Sequence, residues 1–347
     1  MALSILASGM VTAVGLNSAA ACAAIRCAIT NFVETRFIDD GGEWIIGAPV
    51  PLDEPWRGRA KLVKLIVPAI QECLTAAVNV KPEEIPLLLC VAEKERPGRL
   101  DGLDDQLFEE IKFEMGVRFH SQSKVISRGK TSGVHAMLAA RGLVEYDRQV
   151  PFCLIAGVDS FLVAPTLAYY QEKERLLTSK NSNGFIPGEA GAAVLVGRAG
   201  KSASAELVCY GIGFGTEKAT IESEEPLRAD GMVEAIKSGL ADAQATFDDI
   251  DYRIADLNGE QYGFKEAGLA ISRTMRKTKP EFHIWHPADC IGEVGAAIVP
   301  SILGVTFAAA QKGYSPGRGA LSHFSNDDGE RATMILKLQE GKTRANG

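Results

Sequence analysis

The sequence predicts an α/β protein with large sheets and buried helices. Three observations carry that expectation. Ile85 to Ala92 is an unbroken apolar run, the pattern of a strand covered on both faces. Val125-Ile126 leads through Arg128-Gly129-Lys130-Thr131-Ser132-Gly133 into an alanine-rich stretch ending at Val144, which reads as strand, tight turn and helix. The 347 residues are 46% apolar and 23% charged, enough for one or two domains with an ample core.

In chain order, Ala2 to Ala7 reads as a short buried strand, followed by a glycine-bearing turn through Gly9, Thr12 and Gly15. Asn17 or Ser18 can cap a helix from about Ala19 to Ala28. Gly41 to Pro55 is loop-rich, with a strand at Trp44 to Ala48. Lys61 to Val78 has helical spacing, with Leu62, Leu65, Ile66, Ala69, Ile70 and Cys73 on one side. After the apolar strand, Glu93 to Leu103 is a charged loop and Phe108 to Met115 a helix. Pro151 to Val163 is strand and turn, and Leu167 to Leu176 a helix. In the second half, Glu206 to Phe214 and Phe282 to Trp285 read as strands. Met232 to Ala243, Glu266 to Arg276 and the apolar Ile298 to Lys312 read as helices. Ala332 to Leu338 is a closing strand, and Glu222 to Glu225 a solvated loop.

A net charge of −7 and a pI of about 5.4 argue against a nucleic-acid surface. Seven scattered cysteines, several in strand-like runs (Cys90, Cys153, Cys209), fit buried, reduced thiols in a cytoplasmic protein. No apolar run approaches the ~18 residues of a transmembrane helix, so none is expected, and the apolar N-terminus lacks the basic segment of a signal peptide. His283, His286, Asp289 and Cys290 have metal-like spacing, but Pro287 fits a turn, and no metal is expected. Gly211 to Gly215 has glycines like a dinucleotide loop but no helix and acid in register, so no cofactor is expected either.

The turn at Lys130 carries a resemblance. Arg128-Gly129-Lys130-Thr131-Ser132-Gly133-Val134-His135-Ala136 resembles the T-A-C-A-S-G-x-H-A turn of the β-ketoacyl synthases, members of the thiolase superfamily. Lys130 falls where those enzymes carry their nucleophilic cysteine. Gly9 to Gly15 is similar to the family's opening G-x-V-T-x-x-G. Asn181 to Leu195 closely resembles D-G-F-V-x-G-E-G-A-G-A-L-V-L, and Phe247 to Tyr252 resembles P-x-D-I-D-Y. His286 to Ala297 resembles K-S-x-x-G-H-x-x-G-A-A-G. The resemblance runs from about Ala2 to Leu338 and implies a thiolase-like fold. That fold has two pseudo-symmetric halves, 1–200 and 201–347, stacked as five layers α-β-α-β-α. Gly200-Lys201-Ser202-Ala203-Ser204 would link them.

The same resemblance implies a degenerate active site with no catalytic residue expected. Lys130 stands for the cysteine, and Asn258 or Asp256 for the first histidine. Matching Gly292 and Gly295 puts Asp289 on the second histidine. The family's glycine-rich loop is Asn326-Asp327-Asp328-Gly329 here. If the fold holds, Lys130, Thr131, Asn258, Glu260, Asp289, Glu293, Asn326, Asp327 and Asp328 meet around the former pocket. The short Glu93–Leu103 loop removes part of the family's acyl pocket. Condensation needs a thiolate and two neutral imidazole donors, whereas an amine and carboxylates would disfavour an enolate. A buried lysine among acids reads as an ion pair filling the pocket. A Schiff-base lysine is opposed because those acids raise its pKa. His135 and Glu189 read as packing and structural residues.

Three function classes follow. The first is an inactive ketosynthase-like protein acting as scaffold, adaptor or regulatory partner, in a polyketide, fatty-acid or secretion context. It would form a homodimer, or a heterodimer with a ketosynthase-like subunit, through the strand at Lys124 to Ser127 and the helix after it, with room for a protein client. The second is an acyltransferase or thioester-processing enzyme with cysteine-independent chemistry. The third is a binder of acyl or other small ligands.

Overall fold

A computed structural model describes residues 1–77, 80–147, 150–200 and 205–340. Val78 and the predicted link at 201–204 lie outside the described residues. The first half runs β1 (Leu3–Val11), α1 (Ser18–Arg26), β2 (Val33–Ile38), β3 (Trp44–Gly47), α2 (Gly58–Ala76) and β4 (Leu87–Val91). It continues with α3 (Gln106–Met115), β5 (Lys124–Ser127), α4 (Ser132–Tyr146), β6 (Phe152–Ser160), α5 (Ala164–Glu172) and β7 (Glu189–Arg198). The second half has β8 (Glu206–Thr216), α6 (Asp230–Asp242), β9 (Tyr252–Ala255), α7 (Gln261–Thr274) and β10 (Ile284–Trp285). It ends with α8 (Ala288–Ile291), α9 (Ile298–Lys312), β11 (Gly319–Ser325) and β12 (Glu330–Gln339). Of the two capping candidates for α1, Asn17 is the cap: its side chain accepts from Ala20 N at 2.9 Å.

The strand order repeats. In the first half it is β5-β4-β6-β7-β1, and in the second β10-β9-β11-β12-β8. In each half the first three strands of that order are parallel and the last two pair antiparallel. The halves join edge to edge where β1 meets β8 over three residue pairs, Leu3↔Cys209, Ser4↔Val208 and Ile5↔Leu207.

Alternation along the strands sorts side chains between layers. Leu87, Leu89 and Val91 of β4 face α2 and α3, whereas Leu88 and Cys90 face the interior with α4 and α9. In β12, Ala332, Met334 and Leu336 join that interior, and Ile335 faces α6 and α7. The result is five layers, with α4 and α9 in the middle.

One expectation needs correction. Gly295–Lys312 is 18 residues long and apolar enough, by length and composition, to cross a membrane. Its 72% burial inside the protein makes it the middle-layer core helix instead. All seven cysteines are free, and six are buried.

Candidate functional site

The parallel strand β5 ends against a short 3₁₀ turn, Gly129–Thr131, which opens α4. Gly129 sits at φ +53°, and a Cβ there would lie 2.1 Å from Glu93 Oε2. The positive φ is what favours glycine here; a Cβ would also push the Glu93 carboxylate aside. Asn326, from the loop between β11 and β12, fixes the turn: its Oδ1 accepts from Lys130 N at 3.0 Å. Its Nδ2 donates to Arg128 O at 2.8 Å and Thr131 Oγ1 at 2.9 Å.

Lys130 is thereby aimed inward, with its side chain 14% exposed. Nζ lies 3.4 Å from Glu293 Oε2 and 3.8 Å from Asp256 Oδ2. Glu293 is itself held: Oε1 accepts from Gly295 N at 2.9 Å, and Oε2 from Asn258 Nδ2 at 2.8 Å. Asn258 Nδ2 also lies 3.3 Å from Glu260 Oε2. Glu260 is gripped by Arg175 through two bonds of 2.7 and 2.9 Å. Arg175 continues to Asp327 at 2.7 Å, where the Tyr170 hydroxyl also donates. A second string runs from Glu93 to Arg96 (2.5 and 2.7 Å) and on to Asp159 (3.3 Å). The Arg96 guanidinium lies 4.1 Å over the Phe161 ring. Three cations and six carboxylates thus interlock where the resemblance places a catalytic pocket.

These contacts set the charge states. Burial alone would lower the Lys130 pKa, but Glu293, Asp256, Asp327 and Glu260 outweigh it and raise it above the ordinary lysine value. Lys130 is therefore a firmly held ammonium with no lone pair to attack a carbonyl. Burial pushes Asp256 up to about 6 despite the pull of Lys130. Asp159 is likewise raised by burial, against Arg96. Asp327 goes the other way, because Arg175 and Lys130 overcome its desolvation. Two small cavities of about 30 and 10 Å³ remain around Lys130, Asn258, Asn326 and Asp327. That is room for a water molecule or two, not for an acyl chain.

The structure gathers Lys130, Asn258, Glu260, Glu293, Asn326 and Asp327 around these cavities. Asp256 and Asn258 both line the larger one, so the two alternatives for the first histidine sit side by side. Thr131 is buried but turned to Glu330, which its hydroxyl contacts. Asp328 is exposed and accepts from Glu330 N at 2.9 Å, as part of the turn. Asp289 is a correction. Its side chain is 62% exposed and lies 2.8 Å from His286 Nδ1, away from Lys130. The short helix α8 carries Asp289 outward. Gly292, at φ +72°, then reverses the chain so that Glu293 points at Lys130. His135 packs on Phe214 at 4.5 Å and pairs with Glu330 at 3.0 Å, in keeping with its packing role.

Arg96, Arg175, Glu93 and Asp159 were not anticipated. The two arginines stand in charge-rich stretches, Glu93-Lys94-Glu95-Arg96 and Glu172-Lys173-Glu174-Arg175, that look solvated. One signal was available: Arg175 directly precedes Leu176-Leu177, and Glu93 and Arg96 lie within five residues of the end of a buried strand.

No family model matches the sequence, and no curated protein matches it. Solved structures do match the fold over nearly the whole chain. A β-ketoacyl synthase from Burkholderia phymatum aligns with a TM-score of 0.74 at 14% identity, covering 97% of this chain and 99% of that one. The chain has the ketosynthase fold. The structure of ketosynthase ApeO with its chain length factor ApeC, from Xenorhabdus doucetiae, gives a TM-score of 0.74 at 14% identity. That match covers 97% of this chain and 98% of the other. The type II PKS complex AntDE:AntF, an acyl-carrier protein with its ketosynthase bound to the hexaketide, gives 0.79 at 13% identity. Coverage there is 97% and 99%. On this ketosynthase fold, the turn between β5 and α4 carries Lys130, and the surrounding loops carry its carboxylate partners.

Proposed function

We propose that this chain is a non-condensing, ketosynthase-like subunit that acts as a dimeric scaffold or adaptor in the cytoplasm. The observation that carries the reading is the ammonium of Lys130 locked between Glu293 and Asp256, with about 30 Å³ of free space beside it. Covalent acyl transfer needs a nucleophile with a free electron pair and room for the acyl group, and both are missing from this arrangement. The likeness to ketosynthase and chain-length-factor complexes supports a partner role. Two surface features support pairing. Among the described residues, β5 ends the sheet with β4 as its one neighbour, leaving a free edge. On α4 beside it, Leu138 and Tyr146 are 40% and 85% exposed. The partner is a second copy or a ketosynthase-like subunit.

The test joins two readouts. In sedimentation velocity the protein runs as a dimer, alone or with a ketosynthase-like subunit, and Leu138→Arg with Tyr146→Glu releases monomer. In a malonyl-thioester assay it releases carbon dioxide at the rate of buffer alone, and so does Lys130→Cys. Turnover by the unmodified protein would sink the reading, as would a monomer that binds no such subunit.

A further inference from the structure

A second concavity, of about 320 Å³, shares no lining residue with the Lys130 site. It lies between the end of α1, the edge strand β10, α8 and α9. Val305, Cys290 and Pro287 contribute apolar surface, and Trp285 and Tyr314 are aromatic walls with ring centroids 6.4 Å apart. Its size is at the lower end for small-molecule sites, which combine apolar walls with a few placed polar groups.

The polar groups are unequal. Asp289 Oδ2 lies 2.8 Å from His286 Nδ1, so these two face one another. Phe264 braces the His286 ring edge-on at 5.5 Å. Arg26 differs. Its guanidinium carbon lies 4.1 Å over the Tyr314 ring, and it has no carboxylate partner among the described residues. A guanidinium seated over a ring face keeps N–H donors available, and guanidinium forks pair with carboxylates through two parallel bonds. The cation therefore stands ready at the rim of an aromatic-walled pocket.

We propose that this pocket binds a small carboxylic acid with an aromatic or short aliphatic body. The carboxylate sits on Arg26 and the hydrocarbon lies against Trp285 and Tyr314, away from Asp289. The site stands independently of the scaffold reading.

Calorimetric titration of the intact protein with phenylacetate and with hexanoate tests it. Both should bind saturably. Benzyl alcohol and phenethylamine should bind at least about tenfold more weakly, because they cannot accept the charged pair. Arg26→Met should weaken phenylacetate by a similar factor, and Arg26→Lys by less. Arg26 is exposed, so both variants should keep the parent's melting temperature. The proposal is overturned by no saturable heat up to about ten millimolar, a concentration that should detect even weak, millimolar binding. It is also overturned if benzyl alcohol binds equally or Arg26→Met binds unchanged.

Discussion

Replacing Arg331 with methionine should destabilise the protein by about 3–5 kcal/mol, the usual effect of stripping one partner from a buried ion pair. Arg331 and Glu266 have side chains only 1% exposed and meet at 2.7 Å. The guanidinium also donates to Asn326 O at 2.7 Å and Tyr262 Oη at 2.8 Å. Methionine fills much of the volume but leaves Glu266 charged, buried and short of a partner. The Asn326 loop that fixes the Lys130 turn loses a tie as well. Replacing both residues, Arg331→Met with Glu266→Leu, should recover most of the loss, since apolar substitutes for a whole buried pair are often neutral. Urea midpoints of the three proteins at one pH decide the matter. A single variant as stable as the parent would show that this pair contributes nothing.

Lys130→Met should cost about 2–4 kcal/mol at pH 8, somewhat less because the pair distances are long and the side chain is not wholly buried. The penalty carries a pH signature. The folded pKa of Lys130 lies above its ordinary value, so its contribution is complete below the usual lysine range and fades only in strong alkali. Asp256 has a folded pKa raised to about 6, so its proton binds more tightly in the fold than in the unfolded chain. Its effect favours folding at low pH and is lost as pH rises through about 6. Without Lys130, Asp256 should take up a proton still more readily. Toward pH 5 that proton removes one of the two carboxylate charges left facing the missing amine, and the penalty should fall to roughly half. Denaturation midpoints of both proteins at pH 5 and pH 8 test this. Equal penalties at the two pH values would mean that Asp256 is not coupled to the amine.

The backbone plan was readable because its signals are local. Apolar runs such as Ile85–Ala92 and helical spacing such as Leu62–Cys73 need no distant partner to be recognised. The glycine before Lys130 and the acids after it were also visible as residue types in an odd place. What could not be read was which acid turns inward. Asp289 and Glu293 are four residues apart, and the choice rests on α8 and the positive φ of Gly292 between them. Arg96 and Arg175 escaped notice for a different reason. A charged stretch looks solvated until its partner is known, and Glu260 lies 85 residues from Arg175. Pairing of that kind is decided by tertiary packing, not by periodicity. The apolar run in α9 shows the converse: length and composition suit a membrane, and only the two covering sheets place it in a core.

The three-pair seam between β1 and β8 has a thermodynamic consequence. So little backbone pairing leaves most of the union of the sheet's two halves to the core they share around α4 and α9. Loss of either sheet would expose those helices to water, so heating should give one calorimetric peak for the whole chain, and two resolved peaks would show that each half melts by itself.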